Sequence, residues 1–233
     1  MTLQETLKAI AAVSTDSIKR ILMKHDAREP IYGAKVADLK VILKKIKNDQ
    51  QLALQLYDSG VYDAQYLAGL MADGSKMTPA QLDKWARTAN SHGISQSTVV
   101  WVAAEHPDAW KLGLEWIEDK NENVASSGWN LVSGLTSLKP DAELDIPQLR
   151  KLLKRVEKDI HKAPNWVRYT MNNFVIHLGT YVEALHEEAV EVARRIGLVS
   201  VNVGDTACKV PVAEEYIGAA RKRGPKKKKT LKC

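Results

Sequence analysis

The stretch PQLRKLLKRVEKDIH, residues 147–161, decides the fold class of this chain. Its apolar side chains recur every three or four residues, the spacing of one face of an α-helix: Leu149, Leu152, Leu153, Val156 and Ile160. The opposite face carries a stripe of cations: Lys151, Lys154, Arg155 and Lys158. One face therefore suits a protein core, and the other suits either solvent or the phosphate groups of a nucleic acid.

Similar spacing continues through nearly every segment up to Gly197, so the chain is predicted to be all-α. After earlier helices that begin at Thr2 and Thr78, the predicted helices cover residues 95–105, 108–118, 122–137, 147–161, 165–179 and 183–196. Helix pairs spaced about 35 to 45 residues apart are typical of helical-repeat proteins. We expect HEAT-like repeats that form a curved α-solenoid with a concave face, although an irregular helical bundle fits the same spacing.

The net charge of +6 is concentrated at the C-terminus. Residues 221–233, RKRGPKKKKTLKC, contain eight Lys or Arg and no acid, so residues 1–220 carry a net charge of −2. We predict one helical-repeat domain over 1–220 and a flexible basic tail over 221–233, which either binds DNA phosphates or only aids solubility. The tail lysines predicted to contact DNA are Lys226, Lys227, Lys228 and Lys229. A second, shorter stripe comprises Lys40, Lys44 and Lys47.

Composition and motifs exclude several classes of protein. With 45% hydrophobic and 27% charged residues, the chain is neither disordered nor fibrous. It has no apolar run of membrane-spanning length and no secretory leader pattern, so we expect a cytoplasmic protein without a membrane partner. The spacing of its six histidines and two cysteines predicts no metal site, and no nucleotide-binding glycine motif indicates a cofactor. Nothing requires a dimer, and a monomer is expected.

The segment NWVRYTMNNFVIHLGTY, Asn165–Tyr181, is polar at positions where a core helix is normally apolar. Its donors and acceptors are suited to phosphates or base edges: Arg168, Tyr169, Asn172 and Asn173. A hydrogen-bond network between helices is the structural alternative. Trp129 lies among small residues in SSGWNLVS, which leaves room for a base to stack on its indole ring.

Three segments resemble the AlkD-type DNA alkylation repair proteins, a family of HEAT-like repeat DNA glycosylases: MKHDAREPIYGAKVADLKVILKKI (23–46), YDAQYLAGLMAD (62–73) and VRYTMNNFVIHLGTYV (167–182). The resemblance implies a concave surface that holds duplex DNA, with damaged or branched DNA as the expected partner. It also implies hydrolysis of the glycosidic bond of N-alkylated purines without metal or cofactor. In active members, a Trp-x-x-x-Asp motif and a second tryptophan carry this chemistry.

This chain departs from that catalytic pattern. The family tryptophan and aspartate align with Ile94 and with Ser97 or Thr98, while the second tryptophan aligns near Asn173. A family arginine of the DNA surface aligns near Gly128. A relocated pair, Trp101 and Glu105, has the i, i+4 spacing of one helix face.

We therefore expect a DNA-binding member of the family that recognises damaged or structured DNA and whose glycosylase activity is absent or weak. One alternative is an active alkylpurine glycosylase that uses Glu105 and Trp101. The other is a HEAT-like protein-interaction scaffold, which agrees with the slightly acidic composition of residues 1–220.

Overall fold

A computed structural model describes residues 1–46 and 49–233, and these residues form helices and irregular connections without a β-strand. They fold into two compact units. The first comprises Met1–Asp108, Gly204–Thr206 and Lys232–Cys233, and the second comprises Ala109–Val203 and Ala207–Leu231. Lys47, the last member of the shorter lysine stripe, lies outside the described residues.

The first unit is built from short helices whose starts follow the capping signals of the sequence. They are α1 (Leu3–Val13), α2 (Asp16–Lys24), α3 (Val36–Ile46), α4 (Gln50–Asp58), α5 (Tyr62–Met71), α6 (Pro79–Arg87) and α7 (Val100–Ala103). Thr2 and Thr78 both form complete capping boxes, which satisfy backbone N–H groups at the starts of α1 and α6. A π-helical segment, Ile94–Val99, leads directly into α7.

The second unit contains the two longest helices. Its elements are α8 (Ala109–Ile117), α9 (Glu122–Leu138), α10 (Ile146–Asp159), α11 (Asn165–Tyr181), α12 (His186–Ile196) and α13 (Ala213–Lys222). The predicted apolar face of α10 is buried, with Leu149 and Val156 fully inaccessible to solvent. Because that face enters the core, the opposite face of α10, which carries the lysines, is left toward solvent.

Helices α8 and α9 approach each other closely at Gly128. A Cβ atom at this position would lie 2.6 Å from the backbone nitrogen of Ile117 and 2.9 Å from the carbonyl oxygen of Gly113. Successive residues of a helix are rotated by about 100°, and the next residue, Trp129, packs against Phe174 of α11 and beneath Arg155 of α10. The glycine contact with α8 thus sets the direction in which the neighbouring indole points.

We expect Gly128→Ala to lower the free energy of unfolding by about 2 kcal/mol, because the added methyl group would overlap backbone atoms that cannot rotate away. Gly218→Ala in α13 is the matched control, because no heavy atom lies within 4 Å of the corresponding methyl position. That control should gain up to about 1 kcal/mol from helix propensity. Urea denaturation followed by circular dichroism measures both, and equal stabilities of the two variants would contradict the close approach.

Candidate nucleic-acid interface

The solvent face of α10 carries a row of exposed lysines, Lys151, Lys154 and Lys158, which we call the lysine row. Its first and last members are separated by about 10 Å along the helix axis. Among the residues that the structure describes, none of the three forms an ion pair, whereas Arg150 of the same helix pairs with Glu188 at 2.7 Å. The lysine row therefore has no carboxylate within ion-pair distance among the described residues, although the charge of Lys154, after that of Arg150, helps to lower the pKa of Glu188.

Arg155, the fourth cation predicted on this face, is oriented differently. Its guanidinium pairs with the Glu118 carboxylate and lies 5.8 Å from the centroid of the Trp129 ring. Trp129 itself is fully buried, and its ring also meets Phe174 edge-on at 5.3 Å. The indole that the sequence indicates as a stacking platform is thus covered by a planar cation in this structure.

The polar face of α11 contains a donor and an acceptor that lack partners. Arg168 and Asn172 are four residues apart and so lie on one side of the helix. The Asn172 Nδ2 donates to the Pro211 carbonyl at 2.8 Å, but its Oδ1 and the Nε of Arg168 are buried with no hydrogen-bond partner. An unpaired buried polar group costs about 1 to 3 kcal/mol, so a bound phosphate or base edge near Arg168 would stabilise this arrangement.

The other predicted residues of α11 are half-buried. The Tyr169 ring meets Trp166 edge-on at 5.9 Å, and burial raises the pKa of the Tyr169 hydroxyl, which stays protonated at neutral pH. The Asn173 carbonyl accepts a 2.8 Å hydrogen bond from His177 Nδ1. Burial lowers the pKa of His177 to about 4, so this imidazole carries no positive charge at neutral pH. Asn172, by contrast, is fully buried, and its side-chain amide donates a hydrogen bond to the carbonyl of Pro211. This contact agrees with the structural alternative, in which the polar residues of α11 form hydrogen bonds within the fold.

The C-terminal lysines divide into two groups. The Lys227 ammonium donates to the carbonyl oxygens of Thr136 at 2.9 Å and Tyr181 at 2.7 Å, and it contacts Asp141 at 3.2 Å. Those carbonyls belong to the last turns of α9 and α11, where the helix dipoles favour a cation. The Lys228 backbone N–H donates to the Ser137 carbonyl at 2.7 Å.

Lys226 and Lys229 are exposed and form no hydrogen bond or ion pair with the described residues. Leu231 packs against α9, where the position of a Cβ at Gly134 would be only 2.5 Å from Leu231 Cδ1. Although the sequence predicts a flexible end, these contacts fix part of the tail on the second unit.

We expect Lys227→Met to lower the free energy of unfolding by about 1 to 2 kcal/mol, because it leaves the carbonyls of two helix ends without their shared donor. Lys229→Met is the matched control and should change stability by less than about 0.5 kcal/mol, as exposed substitutions normally do. Thermal unfolding of the two variants provides the test. Equal losses, or none, would contradict a capping role for Lys227.

The relocated pair of the first unit is engaged in structural contacts. The Glu105 carboxylate accepts from the Gly74 N–H at 3.0 Å and pairs with the Lys232 ammonium at 2.8 Å. Lys232 also donates to the carbonyl of Ala72, at the end of α5. Trp101 is half-buried and meets the Tyr66 ring edge-on at 5.3 Å. Glu105 thus holds a short 3-10 turn, Gly74–Lys76, and the last residues of the chain.

The positions aligned with the family catalytic residues lie in the π-helical segment and offer no carboxylate. Ile94 and Thr98 are fully buried, and Ser97 is half-buried. The Thr98 methyl group occupies space left by Gly69 of α5, where a Cβ would be 2.2 Å from it. At the position of the family arginine, Gly128 faces the backbone of α8. The chemistry that the family motif supplies therefore has no counterpart at these positions.

Within residues 1–46 and 49–233, no group of three or more His, Cys, Asp or Glu side chains is placed to hold a metal ion. No helix there has both the length and the apolar character needed to cross a bilayer.

The consecutive helices, together with a structural match, define a HEAT-like helical-repeat protein and confirm the predicted fold. A solved structure aligns over 100% of both chains with a TM-score of 0.91 and 30% sequence identity. It is described as representing a new family of proteins related to the HEAT-like repeat DNA glycosylases with affinity for branched DNA structures. The model of the DNA alkylation repair enzyme family matches residues 3–206, and the chain belongs to this family.

Two bacterial proteins are similar over nearly their whole length. The uncharacterized protein Lin0241 of Listeria innocua is 34% identical over 220 residues, which span 92% of this chain and 95% of the relative. The uncharacterized protein Lmo0209 of Listeria monocytogenes has the same identity and coverage. The family model that matches residues 3–206 confirms the family predicted from the sequence.

Proposed function

We propose that this protein binds branched DNA through the lysine row of α10 and the polar face of α11, and that its glycosylase activity is absent or weak. Family membership and the affinity for branched DNA of the structural neighbour support DNA binding. The observation that carries the proposal is the absence of ion pairs along the lysine row, among the described residues. Lysines without carboxylate partners are available to bind phosphates and to release the counterions condensed on DNA.

The residues at the family's catalytic positions favour branched DNA over alkylated duplex DNA as the ligand of this protein. In the active members of the family, a carboxylate stabilises the positive charge that develops on the sugar as the glycosidic bond breaks. Thr98, at the aligned position, is buried against α5 and carries no charge. Glu105 is already paired with Lys232. Recognition of DNA shape requires phosphate contacts at several points, and the lysine row supplies them without any catalytic group.

Replacement of Lys151 and Lys158 by Gln should weaken binding to a four-way DNA junction and lower the slope of log affinity against log salt by about two, because each lysine neutralises about one phosphate. The matched control replaces Lys8 and Lys35, which are exposed cations of the first unit, and removes the same net charge. Fluorescence anisotropy over a range of salt concentrations measures both. An unchanged slope in the α10 variant would refute this interface.

The protein-interaction scaffold predicts a different result in the same assay. Junction binding that survives loss of Lys151 and Lys158 but disappears when residues 221–233 are removed would assign all DNA affinity to the tail. The proposed function predicts that loss of Lys151 and Lys158 weakens junction binding more than removal of the tail does, because the tail residues Lys227 and Lys232 are engaged in helix-end contacts.

We expect no release of 3-methyladenine or 7-methylguanine from alkylated duplex DNA above the spontaneous rate, because the described residues place no free carboxylate at the family's catalytic positions. Glu105→Gln should leave this background unchanged while lowering stability, since it weakens the contact with Lys232. Chromatography of released bases, together with thermal unfolding, measures both effects. Enzyme-dependent release that the variant abolishes would establish the alternative, a glycosylase that uses Glu105.

A further inference from the structure

The second unit contains a cavity of about 320 Å³ that none of the contacts described above fills. It lies where α8 and α10 end and where α9 and α11 begin. Its inner surface is apolar and includes Ala125, Trp129 and Met171. Its volume is at the small end of the range for ligand-binding sites, which suits a single ring system better than a larger molecule.

The rim of the cavity is charged with both signs. Its four carboxylates are Glu118, Asp119, Glu122 and Asp159, and its three cations are Lys120, Arg155 and Lys162. Carboxylates accept hydrogen bonds, and ammonium or guanidinium groups donate them. The hydrogen-bonding edge of a nucleobase presents donors and acceptors side by side, and such a rim can satisfy both. A purely anionic ligand would face four like charges, and a purely cationic ligand would face three.

The face of Trp129 is already covered by a planar group. The Arg155 guanidinium lies over the indole ring, 5.8 Å from its centroid, a distance at which the face of an aromatic ring attracts a cation. Arg155 is retained there by an ion pair with Glu118, whose side chain is 65% exposed. Exposed ion pairs contribute little stability, whereas stacking of a base on an aromatic side chain contributes considerably more. Arg155 can therefore swing from the indole to an incoming phosphate when a base takes its place.

The lysine row leads to this cavity. Lys162, one helical turn beyond Lys158, is exposed and forms part of the rim. Among the described residues, Lys162 and Lys120 form no ion pair, so both cations are available to a phosphate. A DNA strand whose backbone follows the lysine row would bring one of its nucleotides to the mouth of the cavity.

From these observations we infer that the cavity beneath Arg155 binds one unpaired nucleobase of the bound DNA, stacked on Trp129. The inference rests on the proposed function and specifies which feature of a branched substrate is held. A base at a bulge or branch point has already lost its partner, so withdrawing it from the helix costs less than extruding a paired base. The cavity thus gives a physical reason to prefer DNA with interrupted pairing over continuous duplex.

The test uses a DNA duplex with a single bulged 2-aminopurine, whose fluorescence falls when it stacks on an aromatic ring. The references are the same duplex fully paired and a fully paired four-way junction. We expect the full-length protein to quench the bulged probe and to bind it about tenfold more tightly than the paired duplex, as expected for one stacked base. Binding to the four-way junction measures the proposed function separately, because all its bases are paired.

Two variants alter the cavity in different ways. Trp129→Phe retains an aromatic ring but reduces the stacking surface. Trp129 is fully buried, and its replacement could alter the core. Ala163→Leu is therefore the second variant: Ala163 is half-buried on the cavity wall, and the larger side chain would occupy space that a base needs. Ala11→Leu, on the exposed face of α1, is the matched control. Both cavity variants should lose most of the quenching and of the tenfold preference, while the control retains both.

The outcomes separate the two proposals. Loss of the bulge preference in Ala163→Leu with intact junction binding supports the base-binding cavity. A bulge preference that neither cavity variant changes, with junction binding intact, overturns the cavity and leaves the proposed function standing. If the wild-type protein binds neither the junction nor the bulged duplex, the proposed function and the base-binding cavity are both refuted.

Discussion

The close approach of α8 and α9 at Gly128 is the constraint on which the second unit depends. With backbone atoms of α8 only 2.6 to 2.9 Å from the position of a Cβ, no side chain fits there. The helix rotation then directs Trp129 toward α10 and α11, where it packs on Phe174 and beneath Arg155. A long side chain such as arginine at this position is therefore incompatible with the packing of this chain.

Cations of similar chemistry perform different tasks here, and their partners distinguish them. Lys227 satisfies carbonyls at the ends of two long helices, and Lys232 does the same for α5 while pairing with Glu105. Such ammonium groups are held by several fixed acceptors and contribute to the fold. The lysine row has no comparable partners among the described residues. Local charge density alone would favour the tail over α10 as the surface that binds DNA. The contacts of Lys227 and Lys232 favour α10 instead.

The sequence predicted those features of the fold that depend on residues close together along the chain. The apolar face of α10 follows from its own periodicity, and the capping boxes at Thr2 and Thr78 follow from residues three positions apart. The cover over Trp129 could not be predicted, because Arg155 lies 26 positions away and its orientation depends on Glu118. The helix-end contacts of Lys227 bridge an even longer separation. No local pattern distinguishes such a lysine from one that is free to bind DNA.

Binding and catalysis place different demands on this fold. Catalysis depends on a carboxylate held at one point, so a single replacement at that point is sufficient to remove it. Phosphate binding is distributed over several flexible lysines, and it tolerates the loss of any one of them. A helical-repeat chain can therefore lose the family chemistry while retaining the family's affinity for DNA. The lysine row and the cavity both belong to the second unit, whereas the π-helical segment that holds the aligned catalytic positions belongs to the first.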